Sequence, residues 1–139
     1  MSRILIYKLL VVIAGSAFAL FGAFSLGLVR LEDRRMPRCK GDFQSIGTAL
    51  KAYAGQVGRP PTTDQGLEAL VTRPTLEPIP VDWVQIMSKE PMDPWRQPYY
   101  YRELPATDGA FRWELRSAGP DGMTGNEDDL AREFEWKGR

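Results

Sequence analysis

Two patterns meet in the stretch Phe111-Arg-Trp-Glu-Leu-Arg-Ser-Ala-Gly-Pro-Asp-Gly-Met-Thr-Gly-Asn-Glu-Asp-Asp129. In its first part, apolar residues alternate with charged ones from Phe111 to Arg116, which is the period of a strand with one buried face. Its second part collects glycine and carboxylate residues, which is typical of a loop. The stretch therefore predicts a strand that leads directly into an acidic loop.

The composition of this loop favours a bound calcium ion. Its carboxylates repel one another unless a cation neutralises them: Asp121, Glu127, Asp128 and Asp129. Hard oxygen ligands suit Ca²⁺, and glycine allows φ above zero, so that backbone carbonyls can turn toward an ion. The glycines are Gly119, Gly122 and Gly125.

The loop does not follow the EF-hand pattern, because Met123 occupies the third position counted from Asp121. Downstream, Arg132 is the closest candidate for a counter-charge. A solvated acidic loop without a metal is the alternative.

The N-terminal part of the chain predicts a membrane anchor. Residues 9–29 contain no charged residue, and 21 residues are enough for a helix that crosses a bilayer. A basic start and Ala17-Phe-Ala19 resemble a cleaved signal peptide, but the apolar stretch runs on through Val29, which favours a retained anchor. We therefore expect an anchor with a charged collar over residues 1–40 and one domain over residues 41–139.

An amphipathic helix is predicted after the collar. Apolar residues recur at steps of three and four, which places them on one face of a helix: Phe43, Ile46, Leu50 and Tyr53. Pro37 is expected to kink or interrupt the helix, and Gly55 and Gly58 are expected to end it.

The middle of the chain predicts short elements. A helix is expected from Asp64 to about Val71, with Thr63 as its N-cap and its buried face supplied by Leu67, Leu70 and Val71. A short helical turn is expected from three apolar residues: Trp83, Ile86 and Met87.

A turn and a hairpin are expected to follow. Asp93 is expected to accept hydrogen bonds from the backbone just ahead of it. A strand is expected over Tyr99 to Glu103 and a turn at Thr107-Asp-Gly109. The aromatic residues of this half are interpreted as core or sheet-face residues: Trp83, Trp95, Tyr99, Tyr101, Phe111 and Trp113. The predicted class is α+β, with a small antiparallel sheet against the N-terminal helix.

Several functions are excluded by composition. The formal net charge is zero, which argues against nucleic acid as a partner. The chain has no histidine and one cysteine, Cys39, so an intrachain disulfide, a Cys/His zinc site and the common Ser–His and Cys–His catalytic pairs are absent. Cys39 is interpreted as a passive apolar residue. A carboxylate pair such as Glu127 and Asp128 is the catalytic set left to consider, and we expect neither an enzyme nor a small-molecule substrate.

Several motifs in order carry a resemblance to a known family. They are Leu50-Lys-Ala-Tyr53, Gly58-Arg-Pro-Pro-Thr-Thr-Asp-Gln-Gly-Leu-Glu-Ala-Leu70, Asp93-Pro-Trp-Arg-Gln-Pro-Tyr99, Ser117-Ala-Gly-Pro-Asp-Gly122 and Asp128-Asp129. From about Gly41 to Leu130, the chain resembles the major pseudopilins of the type II secretion system, the G proteins of the general secretion pathway.

The resemblance implies a type IV pilin-like fold, in which a long N-terminal transmembrane and stalk helix packs on a small antiparallel β-sheet. It also implies assembly with other pseudopilin subunits and an inner-membrane secretion platform into a short periplasmic filament that aids protein export. The family binds Ca²⁺ in the C-terminal loop. Carried over to this chain, the side-chain ligands are Asp121 and Asp128, with Asp129 or Asn126, and the carbonyls of Ala118 and Met123 complete the set.

The N-terminus departs from the family. Pseudopilins begin with a basic leader and Gly-Phe-Thr-Leu-Ile-Glu, which a prepilin peptidase cuts after the glycine. Neither Gly15 nor Gly22 is followed by that glutamate, so we expect no such cleavage. A non-polymerising, membrane-tethered module that docks on a secretion or pilus apparatus is therefore the alternative function. Two smaller departures are Pro60, where the family has tyrosine, and Arg96, where it has glycine.

Two arguments conflict over topology. Arg3 and Lys8 precede the apolar segment and five basic residues follow it, which by the positive-inside rule places the domain in the cytoplasm. The resemblance implies a single span in the bacterial inner membrane with the domain in the periplasm. We expect the periplasm, because long domains translocate largely regardless of charge and a calcium site with a Kd on the order of 10⁻⁴ M fills only outside the cytosol.

Overall fold

The computed structural model describes residues 34–138 of the chain. They form a helix, α1, over residues 34–57, a short 3-10 helix at Leu67–Leu70, and three strands. The strands are β1 (Tyr100–Thr107), β2 (Ala110–Ser117) and β3 (Leu130–Trp136). Each strand pairs antiparallel with the next in the order β1-β2-β3. A helix with a small antiparallel sheet is what the sequence predicts.

Within residues 34–138, no helix combines the length and apolar character needed to cross a membrane. The predicted span over residues 9–29 lies outside the described residues, as do Gly15 and Gly22. The division of the chain at residues 40 and 41 stays a prediction.

The predicted apolar face of α1 is confirmed. Its four residues are at most 3% exposed: Phe43, Ile46, Leu50 and Tyr53. Two details differ from the prediction. The helix is not interrupted at Pro37, since helical structure continues on both sides of it. Gly55 lies inside the helix, and Gly58 alone ends it at φ 90°, where its N–H donates to the Ala54 carbonyl at 2.8 Å.

The predicted alternating strand is the centre of the sheet. In β2, Trp113 and Leu115 are fully buried and belong to the same apolar cluster as the α1 face. The predicted turn between β1 and β2 is also confirmed. Asp108 and Gly109 both have positive φ, at 50° and 73°, which suits a two-residue hairpin because that backbone twist matches the twist of the strands.

The sequence does not predict β3, and it predicts only the first half of β1, through Glu103. Phe134 of β3 stacks on Trp113 with ring centroids 6.1 Å apart, and Trp136 stacks on Phe111 at 6.0 Å. A glycine in α1 makes room for this strand, because a Cβ at Gly47 would lie 2.8 Å from two ring atoms of Phe134. The third strand therefore completes the surface on which α1 packs.

The helix predicted from Asp64 to Val71 does not form, and only the 3-10 helix Leu67–Leu70 is present. Gly66 has φ 59°, which lies in the left-handed region and cannot continue an α-helix. Thr63 is not an N-cap, and its hydroxyl accepts a hydrogen bond from the Glu103 N–H at 3.0 Å. Ala69, rather than the partly exposed Val71, joins Leu67 and Leu70 in the core.

The helical turn predicted around Trp83 is also wrong, although its residues do pack on the core. The Trp83 indole N–H donates to the Ala69 carbonyl at 2.7 Å. The backbone N–H groups of Ile86 and Met87 both donate to the Leu70 carbonyl at 2.9 Å. These bonds hold the segment from 83 to 87, which has no regular secondary structure, against the 3-10 helix.

The aromatic residues lie where the sequence predicts. Three are buried (Tyr99, Tyr101 and Trp113), and Trp83 and Trp95 are partly buried against the same cluster. Phe111 is partly exposed and faces Trp136 across the strands.

Asp93 holds the turn that precedes β1. Its Oδ1 accepts hydrogen bonds from the N–H groups of Trp95 at 2.9 Å and Gln97 at 2.8 Å, which confirms the predicted role. Inside this turn, Arg96 has φ 69°, which is a costly conformation for any residue with a Cβ. It is also the position where the resemblance implies glycine.

We predict that Arg96→Gly stabilises the domain by about 0.5–1 kcal/mol. The left-handed conformation costs a residue with a Cβ roughly 1–2 kcal/mol, whereas the extra freedom of glycine in the unfolded chain costs roughly 0.4–1 kcal/mol, so the relief of strain outweighs the entropic loss. Thermal melting of the detergent-solubilised chain measures the change, at about 4–8 °C per kcal/mol for a domain of this size. Arg96→Ala is the matched control, because it removes the same side chain and keeps the Cβ. A glycine variant that melts no higher than the alanine variant contradicts the prediction.

Candidate functional site

The acidic loop joins the end of β2 to the start of β3. Its three glycines all have positive φ, as expected: Gly119 at 63°, Gly122 at 71° and Gly125 at 100°. The loop therefore turns back on itself several times between two paired strands.

The first residues of the loop are attached to the core. Ser117 and Ala118 are fully buried. The Ser117 hydroxyl donates to Oδ2 of Asp93 at 2.6 Å and accepts from the Gly119 N–H at 3.3 Å. Since Asp93 is only 2% exposed, the loop starts from a buried polar contact.

Asp121 and Asn126 lie together on the exposed side of the loop. The Asn126 amide donates to Oδ2 of Asp121 at 2.6 Å, and the Met123 N–H donates to Oδ1 at 2.8 Å. The Met123 side chain is 64% exposed. Three of the predicted ligand residues thus belong to one small cluster.

Asp128 lies beside the start of the loop. A Cβ at Gly119 would lie 2.5 Å from the Asp128 carbonyl oxygen and 2.9 Å from its Oδ2. Glycine is therefore required at position 119 by close approach as well as by φ. This contact brings the oxygens of Asp128 next to the Ala118–Gly119 backbone.

Asp129 is paired with an arginine that the sequence reasoning missed. Its Oδ2 accepts from Nη1 of Arg116 at 2.9 Å and from the Gly125 N–H at 2.7 Å. Its Oδ1 is buried and has no hydrogen-bond partner among the described residues. Hydrogen bonding to Asp129, together with the charge of Glu114, raises the pKa of Arg116 above its ordinary value.

The counter-charge of the loop is thus Arg116, upstream of it, whereas Arg132, the closest candidate downstream, lies elsewhere. Its guanidinium lies over the Phe134 ring, 5.1 Å from the centroid. The usable signal for Arg116 was the alternation in β2, which places its side chain on the face opposite Trp113 and Leu115, one residue before the loop.

The predicted ligands are brought into one loop but not into one tight cluster. Within residues 34–138, no group of three or more histidine, cysteine, aspartate or glutamate side chains lies close enough together to hold a metal ion. Asp121 faces Asn126, Asp128 faces Gly119, and Asp129 faces Arg116. Glu127, the other residue of the carboxylate pair considered for catalysis, is exposed.

A second polar contact lies between α1 and the start of β1. The Tyr99 hydroxyl lies 2.9 Å from Oδ2 of Asp42, to which it donates, and 3.7 Å from Sγ of Cys39. Burial raises the pKa of the Cys39 thiol and disfavours the reactive thiolate. These observations agree with a packing role for Cys39.

Comparison with known proteins identifies the family. A profile described as type II secretion system (T2SS), protein G, matches residues 28–136. The type II secretion system core protein G of Pseudomonas aeruginosa is 39% identical over 109 residues, which cover 77% of this chain and 75% of that protein. The protein of the same name from Pectobacterium carotovorum is 35% identical over 122 residues, which cover 86% of this chain and 75% of that protein.

A solved structure supports the same family assignment. The fold is similar to that of the major pseudopilin from the type 2 secretion system of enterohaemorrhagic Escherichia coli, with a TM-score of 0.64 and 30% identity. The match covers 75% of this chain and 90% of that one. The pilin-like fold implied by the sequence motifs is thereby confirmed, and the chain belongs to the type II secretion system protein G family.

Proposed function

We propose that this protein is a structural subunit of the pseudopilus of a type II secretion system and has no catalytic activity. The observation that carries the proposal is the family match across residues 28–136, together with the fold shared with a major pseudopilin. The partners are other pseudopilin subunits and the inner-membrane secretion platform. Residues 9–29 act as a single membrane span, and the domain lies in the periplasm.

Assembly is tested by recovery of filaments. We predict that the full chain, overexpressed with its secretion platform, is found in filaments that shear from the cells and pellet on ultracentrifugation. A chain that lacks residues 1–33 is the control, because it keeps the described domain and loses the apolar segment. The intact mass of the pelleted protein identifies its mature N-terminus.

Full-length protein that stays in the membrane fraction and never pellets, under conditions where a relative of this family forms filaments, contradicts the proposal. That result supports the non-polymerising membrane-tethered module instead.

We further propose that the acidic loop binds Ca²⁺. The donors are the side chains of Asp121, Asn126, Asp128 and Asp129 and the carbonyls of Ala118 and Met123. The buried Oδ1 of Asp129 supports this, since it has no partner among the described residues, and a buried acceptor left unpaired is costly. The ion would neutralise the carboxylates and connect the two ends of the loop, while Ser117 holds the loop to Asp93.

The calcium proposal predicts a change in thermal stability. A ligand that binds only the folded state adds about 2.7 kcal/mol at a hundredfold excess over its Kd. Chelation should therefore lower the Tm of the full chain by several degrees, and Asp121→Ala should abolish the difference between the two conditions. Glu127→Gln is the matched control, because it removes a carboxylate of the same loop outside the proposed set and should keep the difference. Wild-type melting curves that superimpose with calcium and with chelator would show that the proposal is wrong.

A further inference from the structure

Arg116 connects the acidic loop to the sheet. Its Nη1 donates to Oδ2 of Asp129 at 2.9 Å, and its Nε and Nη2 donate to Oε1 of Glu114 at 3.3 and 3.2 Å. The two carboxylate side chains are only 8% and 10% exposed, whereas that of Arg116 is 29% exposed. The guanidinium thus lies between two nearly buried carboxylates, one of which belongs to the loop.

Among the described residues, one oxygen of the Asp129 carboxylate accepts hydrogen bonds and the other accepts none. Oδ2 accepts from Arg116 and Gly125, whereas the buried Oδ1 has no partner among the described residues. A cation bound at Oδ1 and the guanidinium at Oδ2 share one carboxylate. They repel each other in a poorly solvated site, where charges are screened less than in water.

We propose that Arg116 is a built-in competitor of the calcium ion at Asp129. It neutralises the carboxylate when the ion is absent and lowers the affinity for the ion. The inference rests on the proposed calcium site, whose regulation it describes. Glu114 gives the guanidinium a second acceptor, so Arg116 keeps an ion-pair partner when the Asp129 carboxylate binds the calcium ion.

The competition has a consequence for the outer face of the sheet. Glu114 also pairs with Arg102 of β1 at 3.2 Å. Both arginines, Glu114 and Gly125 line a cavity of about 330 Å³ beside the loop. Calcium binding at Asp129 therefore shifts Arg116 toward Glu114 and changes the charge distribution of this cavity.

Isothermal titration of the detergent-solubilised full chain with CaCl₂ tests the inference. Arg116→Gln should bind Ca²⁺ about five- to tenfold more tightly than wild type, as expected for removal of one partly buried like charge. Arg112→Gln is the matched control: it removes the same charge from the same strand and face, but its partner is Glu133, at 2.6 Å. The control should change the Kd less than twofold. Arg116→Lys keeps the charge and should bind as weakly as wild type.

The outcomes separate the inference from the calcium site itself. If wild type binds Ca²⁺ and Arg116→Gln binds no tighter than Arg112→Gln, the inference is wrong and the site stands. If only Arg116→Gln binds, Arg116 blocks the site and the proposed function of the wild-type loop is wrong. If neither protein binds, both are wrong.

A measurement on the wild type does not depend on the folding of a variant. The ¹⁵Nε signal of Arg116 should shift when CaCl₂ is added, while that of Arg112 should stay in place. An Arg116 signal that does not move as the calcium site fills overturns the inference.

Discussion

The buried carboxylate of Asp93 is the constraint on which the rest of the structure depends. One oxygen accepts two backbone N–H groups of the turn before β1, and the other accepts the hydroxyl of Ser117 at the end of β2. A carboxylate that is 2% exposed must have such partners, because an unpaired buried polar group costs roughly 1–3 kcal/mol. The turn that starts the sheet and the residue that starts the acidic loop are therefore fixed against each other.

The apolar core completes this arrangement. Neither α1 nor a three-stranded sheet can bury its apolar face alone, and each supplies the other's cover. Trp113 and Leu115 face the helix, and the next residues of the same strand lead to Ser117 and the loop. The loop is thus fixed to the core at its first residue and neutralised near its last, where Arg116 meets Asp129. In this member of the protein G family, the acidic loop is therefore held at both ends, by Asp93 at its start and by Arg116 near its end.

Local periodicity made part of this structure predictable. The α1 face and the central strand follow from spacing alone, and the Asp93 turn and the Asp108–Gly109 hairpin follow from local turn chemistry. The missed elements depend on contacts between distant residues. Arg132 interrupts the apolar alternation of β3, which becomes a strand by pairing with β2. Gly66 fits the helical pattern of the sequence, and its positive φ is apparent only in the structure. In the loop, the resemblance supplied the candidate residues, but only folding shows that Asp121 meets Asn126 and that Asp129 meets Arg116.

The link from Asp93 to the loop is tested most directly by thermal unfolding of Asp93→Ala beside Ser117→Ala. The first variant removes the acceptor of three hydrogen bonds and should lose about 3 kcal/mol or more of folding free energy, whereas the second removes two, the bond to Asp93 and the longer one from the Gly119 N–H, and should lose about 1–2 kcal/mol. At about 4–8 °C per kcal/mol, we expect Asp93→Ala to melt at least about 12 °C below wild type, with Ser117→Ala between the two. An Asp93→Ala variant that melts within about 4 °C of wild type would contradict the claim that this carboxylate holds the turn, the sheet and the loop together.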